Sequence, residues 1–193
     1  YPPGWSRGEP ERLGADEEFF VIEGEIAVNG IDYRPYTYAY LPAGTERRQA
    51  ESPRGAVVLT FYEAEPRIAG GSETFRAEAA MVEYVDTNLV EWKPVTLDDL
   101  VPVGLMTKTL RIDPDTQDRT WLNTIAPGWN REGNLSRRES HPVVEEMYQL
   151  AGVLAGDRGV LHPGAYFWRP PEVAHGPYGT RTAYLAILRC KGG

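Results

Sequence analysis

Apolar positions in this chain occur in short runs or in strict alternation with polar ones. The runs are Phe19–Ile22, Glu25–Val28, Ala56–Phe61, Thr107–Ile112, Thr120–Ile125, Met147–Leu150 and Thr182–Leu188. Turn residues separate them, as in Asn29-Gly30, Asp113-Pro114-Asp115 and Gly156-Asp157-Arg158-Gly159. A period of two places alternate side chains on one face, so the pattern predicts strands. With 20 Gly and 16 Pro, long helices are disfavoured. The one helical feature predicted is a single turn at Thr96–Leu100. Thr107–Ile125 reads as a hairpin closed over the Asp113–Asp118 loop. Many short strands between Gly/Pro turns predict an all-β barrel or sandwich.

The pattern also repeats. Pro3-Gly4-Trp5 recurs as Pro127-Gly128-Trp129. Glu17-Glu18-Phe19-Phe20-Val21-Ile22-Glu23-Gly24 matches Glu145-Glu146-Met147-Tyr148-Gln149-Leu150-Ala151-Gly152, and Tyr40-Leu41-Pro42-Ala43-Gly44 matches Trp168-Arg169-Pro170-Pro171-Glu172. The last two blocks share one offset, 128 residues. Three matches in the same order point to one small β-barrel present twice, joined by Glu63–Leu100. The hairpin ahead of the second Pro-Gly-Trp has no counterpart in the first copy. Residues upstream of Tyr1, or a strand lent from elsewhere, are expected to supply it.

Composition narrows the classes of function. Hydrophobic residues make up 41% and charged residues 25%, as in ordinary soluble domains. The net charge of -8 repels phosphate backbones, so no nucleic acid is expected as a partner. The longest apolar runs, Ala56–Tyr62 and Ala183–Leu188, read as buried strands. They fall far short of the roughly 20 residues that a membrane helix needs, and no membrane association is expected. A single cysteine, Cys190, excludes an intrachain disulfide framework and a Cys-based zinc site. It reads as a free thiol near a frayed terminus. The chain fits a reducing cytoplasm.

The chemistry sits in the second copy. Glu139 and His141 are two apart, so on a strand both point to one face. Glu145 opens the next strand after a short bend, and His175 lies beyond two further strands and a Pro-bounded turn. Four ligand-type side chains then converge inside a barrel. Two of the three histidines fall in this pattern. The third, His162, reads as a turn residue before Pro163-Gly164. The competing reading of Glu139 is a surface ion pair with Arg137 or Arg138.

These spacings resemble the two cupin motifs, Gly-x5-His-x-His-x3–4-Glu-x6-Gly and Gly-x5-Pro-x-Gly-x2-His-x3-Asn. The second half matches at Gly133, His141, Glu145, Gly152, Gly164, Pro170 and His175. It departs at Glu139 (family His), Glu172 (family Gly) and Gly179 (family Asn). With the repeat, the chain resembles a bicupin, near the anti-sigma-factor-like cupin branch. The resemblance implies an all-β chain of two cupin (double-stranded β-helix, jelly-roll) barrels. Residues 1–88 would form an N-terminal barrel with a degenerate site, and residues 89–193 a C-terminal barrel with a metal site. In the first copy Glu11, Leu13, Glu17 and Arg47 take the ligand positions. Leucine cannot ligate and arginine repels a cation, so that barrel should hold no metal. Glu17 is expected either to pair with Arg47 or to lie exposed.

The resemblance implies one divalent ion per chain, held by Glu139, His141, Glu145 and His175. Mixed N/O ligation suits Fe, Mn, Zn or Ni alike. An octahedral ion would keep two open positions for a small-molecule substrate, or for substrate plus O2. Glu139 either ligates or leaves the metal to act as general base, which makes it the candidate catalytic residue. Met147 and Gln149 alternate with Glu145 and are expected to line the pocket, with Tyr166 or Trp168 closing its mouth. Fe(II)-type dioxygenase chemistry is the favoured function. The alternatives are metal-assisted lyase, isomerase or hydrolase chemistry, and a non-catalytic metal- or metabolite-sensing cupin. A homodimer is expected, because cupin barrels commonly cover exposed sheet edges with a partner.

Overall fold

The computed structural model describes residues 1–70, 74–75, 81–95, 104–127 and 138–192. The helical turn expected at Thr96–Leu100 lies outside these residues, as do Gly128, Trp129, Gly133 and Arg137. Among the described residues every regular element is a strand. The chain divides into two compact units, Tyr1–Leu89 and Val90–Gly193.

The first unit contains two four-stranded sheets. One runs in the order Trp5–Arg7, Ala50–Ser52, Ile26–Val28, Ile31–Tyr33, and the other in the order Val82–Asp86, Thr37–Leu41, Glu17–Gly24, Ala56–Tyr62. Glu11–Arg12 pairs separately with Glu46–Arg47. The core is built from inward side chains of these strands, among them Phe19, Val21, Ile26, Tyr33 and Leu41. The stretch Glu63–Leu100, read from sequence as a connector, contributes Val82–Asp86 as a strand against Thr37–Leu41. None of its five residues is fully buried and two are exposed, so its weak apolar pattern gave no strand signal.

The second unit is built on a six-stranded sheet. Its order is Lys93–Pro94, Leu105–Ile112, Arg119–Ile125, Tyr184–Lys191, Val144–Gly152, Tyr166–Arg169. The expected hairpin is present, with Leu105–Ile112 antiparallel to Arg119–Ile125. Its loop closes through the Asp113 N–H donating to Asp118 O at 2.7 Å. The Asp113 carboxylate accepts from the N–H groups of Asp115 and Thr116, a side-chain turn that Asp readily makes. Met147, Leu154, Ile125 and Leu188 form the core, with Phe167 packed against it.

The repeat extends to the hydrogen-bond register. Glu17 pairs with Tyr62 and Gly24 with Ala56; Glu145 pairs with Cys190 and Gly152 with Tyr184. Each partner is displaced by the same 128 residues. The ladders break at equivalent points, between Val21 and Glu23 and between Gln149 and Ala151. Gly24 and Gly152 then take φ of 71° and 69°, a conformation that favours glycine.

Cys190 is not at a frayed end. It is a buried member of the strand Tyr184–Lys191, and pairing with Glu145 and Arg119 on its two sides holds it there. Burial pushes its thiol up to about 11, with the Glu145 carboxylate adding to the rise, so it is an inert core thiol.

Candidate metal centre

In the second unit a backbone bridge brings Glu139 and His175 together. The Glu139 N–H donates to His175 O at 3.0 Å, and the His175 N–H donates to Glu139 O at 2.9 Å. Directly opposed residues project to the same side, and Glu139 Oε1 lies 3.6 Å from His175 Nε2. His141 is tied to the same loop by the Glu172 N–H, which donates to His141 O at 2.8 Å. Its ring centre is 5.1 Å from that of His175. One ligand atom each from Glu139, His141 and His175 then lies within 4.8 Å of the others.

The His175 ring is prepared for ligation. Its Nδ1 is 2.9 Å from Val173 O. A carbonyl only accepts, so Nδ1 carries the proton and Nε2 keeps its lone pair toward Glu139. Such a partner on the far nitrogen is the usual device for fixing the tautomer of a metal-bound histidine. Burial lowers the His175 pKa from 6.5 to about 4, opposed by the Val173 contact and helped by the Arg169 and His141 charges. The ring is therefore neutral at neutral pH, the form that binds a metal. Two imidazoles and a carboxylate this close fit a divalent ion.

Glu145, expected from sequence as a fourth ligand, borders this group. Its Oε2 is 3.8 Å from His175 Nε2, but the same oxygen receives Arg169 Nη1 in an ion pair. Arg169 Nη2 donates to the Tyr178 hydroxyl at 2.7 Å. Burial raises the Glu145 carboxyl above the ordinary carboxylate range, against the pull of Arg169. Burial likewise raises the Tyr178 phenol. Neither Arg169 nor Tyr178 was singled out from sequence. The pairing of Tyr166–Arg169 with Val144–Gly152 sets Arg169 opposite Glu145 and Trp168 opposite Glu146.

That register corrects the expected pocket mouth. Tyr166 and Trp168 lie on the outer face, 50% and 56% exposed, while Phe167 and Arg169 turn inward. Tyr166 donates to Glu146 Oε1 at 2.6 Å, and Arg189 Nη1 donates to the other oxygen of Glu146. Three consecutive aromatics, Tyr166-Phe167-Trp168, cannot be assigned to faces until the strand has a partner. Met147 and Gln149 are buried on the Glu145 side; Gln149 Nε2 donates to Ala151 O at 2.8 Å. His162 is exposed and accepts the Ala165 N–H in the turn it was expected to occupy. Arg138, the rival partner for Glu139, pairs with Asp157 at 3.2 Å. The Glu139 side chain is 54% exposed.

The equivalent positions of the first unit hold no ligand cluster among the described residues. Arg47 Nη2 is 2.6 Å from Glu17 Oε2, both buried. Leu13 occupies the place of His141.

Residues 80–192, more than half of the chain, match the family model of the ChrR cupin-like domain. No curated protein matches in sequence. Among solved structures, one from Nostoc punctiforme described as a "putative dioxygenase" superposes with a TM-score of 0.85 at 21% identity. The superposition covers 99% of this chain and 66% of that one, so this chain spans just under two thirds of that length. A cupin 2 conserved barrel domain protein from Leptotrichia buccalis gives a TM-score of 0.59 at 10% identity, covering 98% and 79% of the two chains. A variant of Bacillus subtilis oxalate decarboxylase gives 0.58 at 13%, covering 100% and 67%. At these identities the superpositions establish a shared all-β fold. The family match places this chain in the ChrR cupin-like domain family.

Proposed function

We propose that the chain is a metal-dependent cupin enzyme acting on a small organic molecule, with Fe(II)-type dioxygenase chemistry. The observation that carries this reading is the donor set of Glu139, His141 and His175. Two imidazoles and one carboxylate, with positions left open, form the ligand set of non-haem Fe(II) oxygenases. A bound Fe(II) ion would supply the one-electron chemistry that allows O2 to react with an organic substrate. The chain's own residues do the rest. Val173 fixes the His175 tautomer. Arg169 draws Glu145 into an ion pair at the edge of the group, leaving it as a neighbour of the ligands. Tyr178 accepts from Arg169, so its own O–H is left to donate, and burial keeps it a phenol at neutral pH. Glu139, half exposed, ligates or takes a proton from an entering substrate. Met147 and Gln149 line the interior, and an apolar wall with few polar groups suits a small organic acid, ketone or aromatic compound. The name of the Nostoc protein agrees with this reading. The second reading is a non-catalytic metal-sensing cupin, for which the same group of Glu139, His141 and His175 would hold the ion.

Metal content and nitric oxide binding test the proposal. Protein purified without added metal should carry one ion per chain. After anaerobic loading with Fe(II), nitric oxide, a stand-in for O2, should give a paramagnetic adduct signal. His175→Ala should lose the ion, Glu139→Ala should weaken it less, and Glu139→His should keep it. Tight zinc with no nitric oxide response after iron loading would favour the sensor. A His175→Ala protein that keeps its ion would sink the ligand assignment, as would two ions per chain.

A further inference from the structure

The first unit contains a partly open cavity of about 220 Å³ with a charged end and an apolar body. Arg7, Glu11, Glu17 and Arg47 form the charged end; Phe19, Ile26, Val28 and Val58 are among the apolar walls. Arg47 pairs with Glu11 across the backbone as His175 pairs with Glu139 in the second unit. A fixed guanidinium thus stands at the register position where the other unit has an imidazole.

Each arginine uses only part of its hydrogen-bonding capacity. Arg7 Nη1 is paired with Glu11, and Arg47 Nη2 with Glu17 at 2.6 Å. Both oxygens of Glu17 have a partner, since the second accepts the Tyr62 hydroxyl at 3.2 Å. Arg7 Nε and Nη2, and Arg47 Nε and Nη1, are buried with no hydrogen-bond partner among the described residues. Arg47 as a whole is 3% exposed. Arg7 Nε and Nη2 lie along one edge of the guanidinium, the fork that receives a carboxylate in two parallel bonds.

We propose that this cavity binds a small monocarboxylate with an apolar body, its carboxylate held by Arg7 and Arg47. The unused N–H donors call for an acceptor, and two guanidiniums exclude a cation. The two glutamates already balance the two arginines, so a single negative charge fits better than a phosphate dianion. A cavity of about 150 Å³ lined by apolar residues accepts benzene, so a ring bearing a carboxylate suits this volume. The site is separate from the metal centre and needs no ion.

Benzoate, titrated calorimetrically into the full chain, tests this. One benzoate should bind per chain, in wild type and in His175→Ala alike. Benzamide and benzylamine, which keep the ring and lose the anion, should bind at least about tenfold more weakly. Arg7→Gln should cost benzoate about tenfold or more, with partial recovery in Arg7→Lys. Arg7 is the residue to change because it is partly exposed, whereas Arg47→Gln strips a buried glutamate of its partner and endangers folding. An unchanged circular dichroism spectrum in Arg7→Gln accompanies the test. The proposal fails if benzoate gives no heat at millimolar concentration, if benzamide binds equally well, or if Arg7→Gln binds as wild type does. Binding that disappears in His175→Ala would place the carboxylate in the second unit and likewise overturn it.

Discussion

His175 gives up its proton easily because its ring is enclosed, and burial outweighs the Val173 carbonyl at Nδ1, which favours the protonated ring. The folded pKa of about 4 lies below the ordinary 6.5. Above pH 6.5 neither folded nor unfolded chain protonates this ring. Between 6.5 and about 4 the unfolded chain takes up a proton that the folded chain refuses, so stability falls as pH falls. The raised Glu145 carboxyl works in the opposite direction, taking its proton in the folded state first. Comparison with His175→Gln, which keeps Glu145, isolates the histidine. The urea midpoint of metal-free wild type should drop more between pH 7 and 5 than that of His175→Gln; equal drops would refute the assignment. Glu172 is a second residue with a local conflict. It sits at φ 63°, where the first copy has Gly44 at φ 81°. A side chain in that region costs roughly 1–2 kcal/mol, while its N–H still serves His141 O. Glu172→Gly should therefore raise stability by about 1 kcal/mol, read from thermal or urea unfolding. A midpoint that stays put or falls would mean that the Glu172 side chain stabilises the loop by more than its strain.

At the scale of elements, the bulged strands Glu17–Gly24 and Val144–Gly152 end on glycines for a steric reason. A Cβ on Gly24 would stand 2.0 Å from Gly55 O, and one on Gly152 would stand 2.2 Å from Ala183 O. Both obstacles are backbone carbonyls of the residue just ahead of the partner strand, and each already accepts a backbone N–H, from Glu25 and Val153. Gly30 has a similar φ of 82° but meets nothing within 4 Å. Gly152→Ala should then cost at least about 2 kcal/mol, and Gly30→Ala only about 1. Calorimetric unfolding of the two variants gives the order directly, and equal losses would remove the steric explanation.

On the scale of the whole molecule, the strand Tyr166–Arg169 ends the order of the six-stranded sheet, with Tyr166 and Trp168 exposed on its outer face. An open edge bearing aromatic side chains is an association hazard unless something covers it. We propose that a second copy does, and that the chain is a homodimer. Sedimentation at micromolar concentration should show a species of twice the chain's 21.6 kDa; a monomer alone would count against it. A cytoplasmic setting stays part of the same proposal. Among the described residues no helix is long and apolar enough to cross a membrane.

Local pattern was enough to determine the class of fold, the repeat and the gathering of Glu139, His141 and His175. Alternation, turn residues and ligand spacing are short-range properties, and a repeat at one offset carries its register with it. Glu145 was placed correctly on its strand, yet its ion pair with Arg169 was not legible, because that contact joins residues 24 apart through strand pairing. Tyr166 and Trp168 were put on the wrong face for the same cause. Alternation says which residues share a side, but only the neighbouring strand says which side is inward. The strand Val82–Asp86 escaped notice because none of its residues is fully buried and its place in the sheet comes from pairing with Thr37–Leu41. Burial of Cys190, the lowered pKa of His175 and the unused guanidinium donors of Arg7 and Arg47 likewise belong to the tertiary structure. Each depends on what the folded chain packs around a group, and a sequence specifies that only through contacts between distant residues.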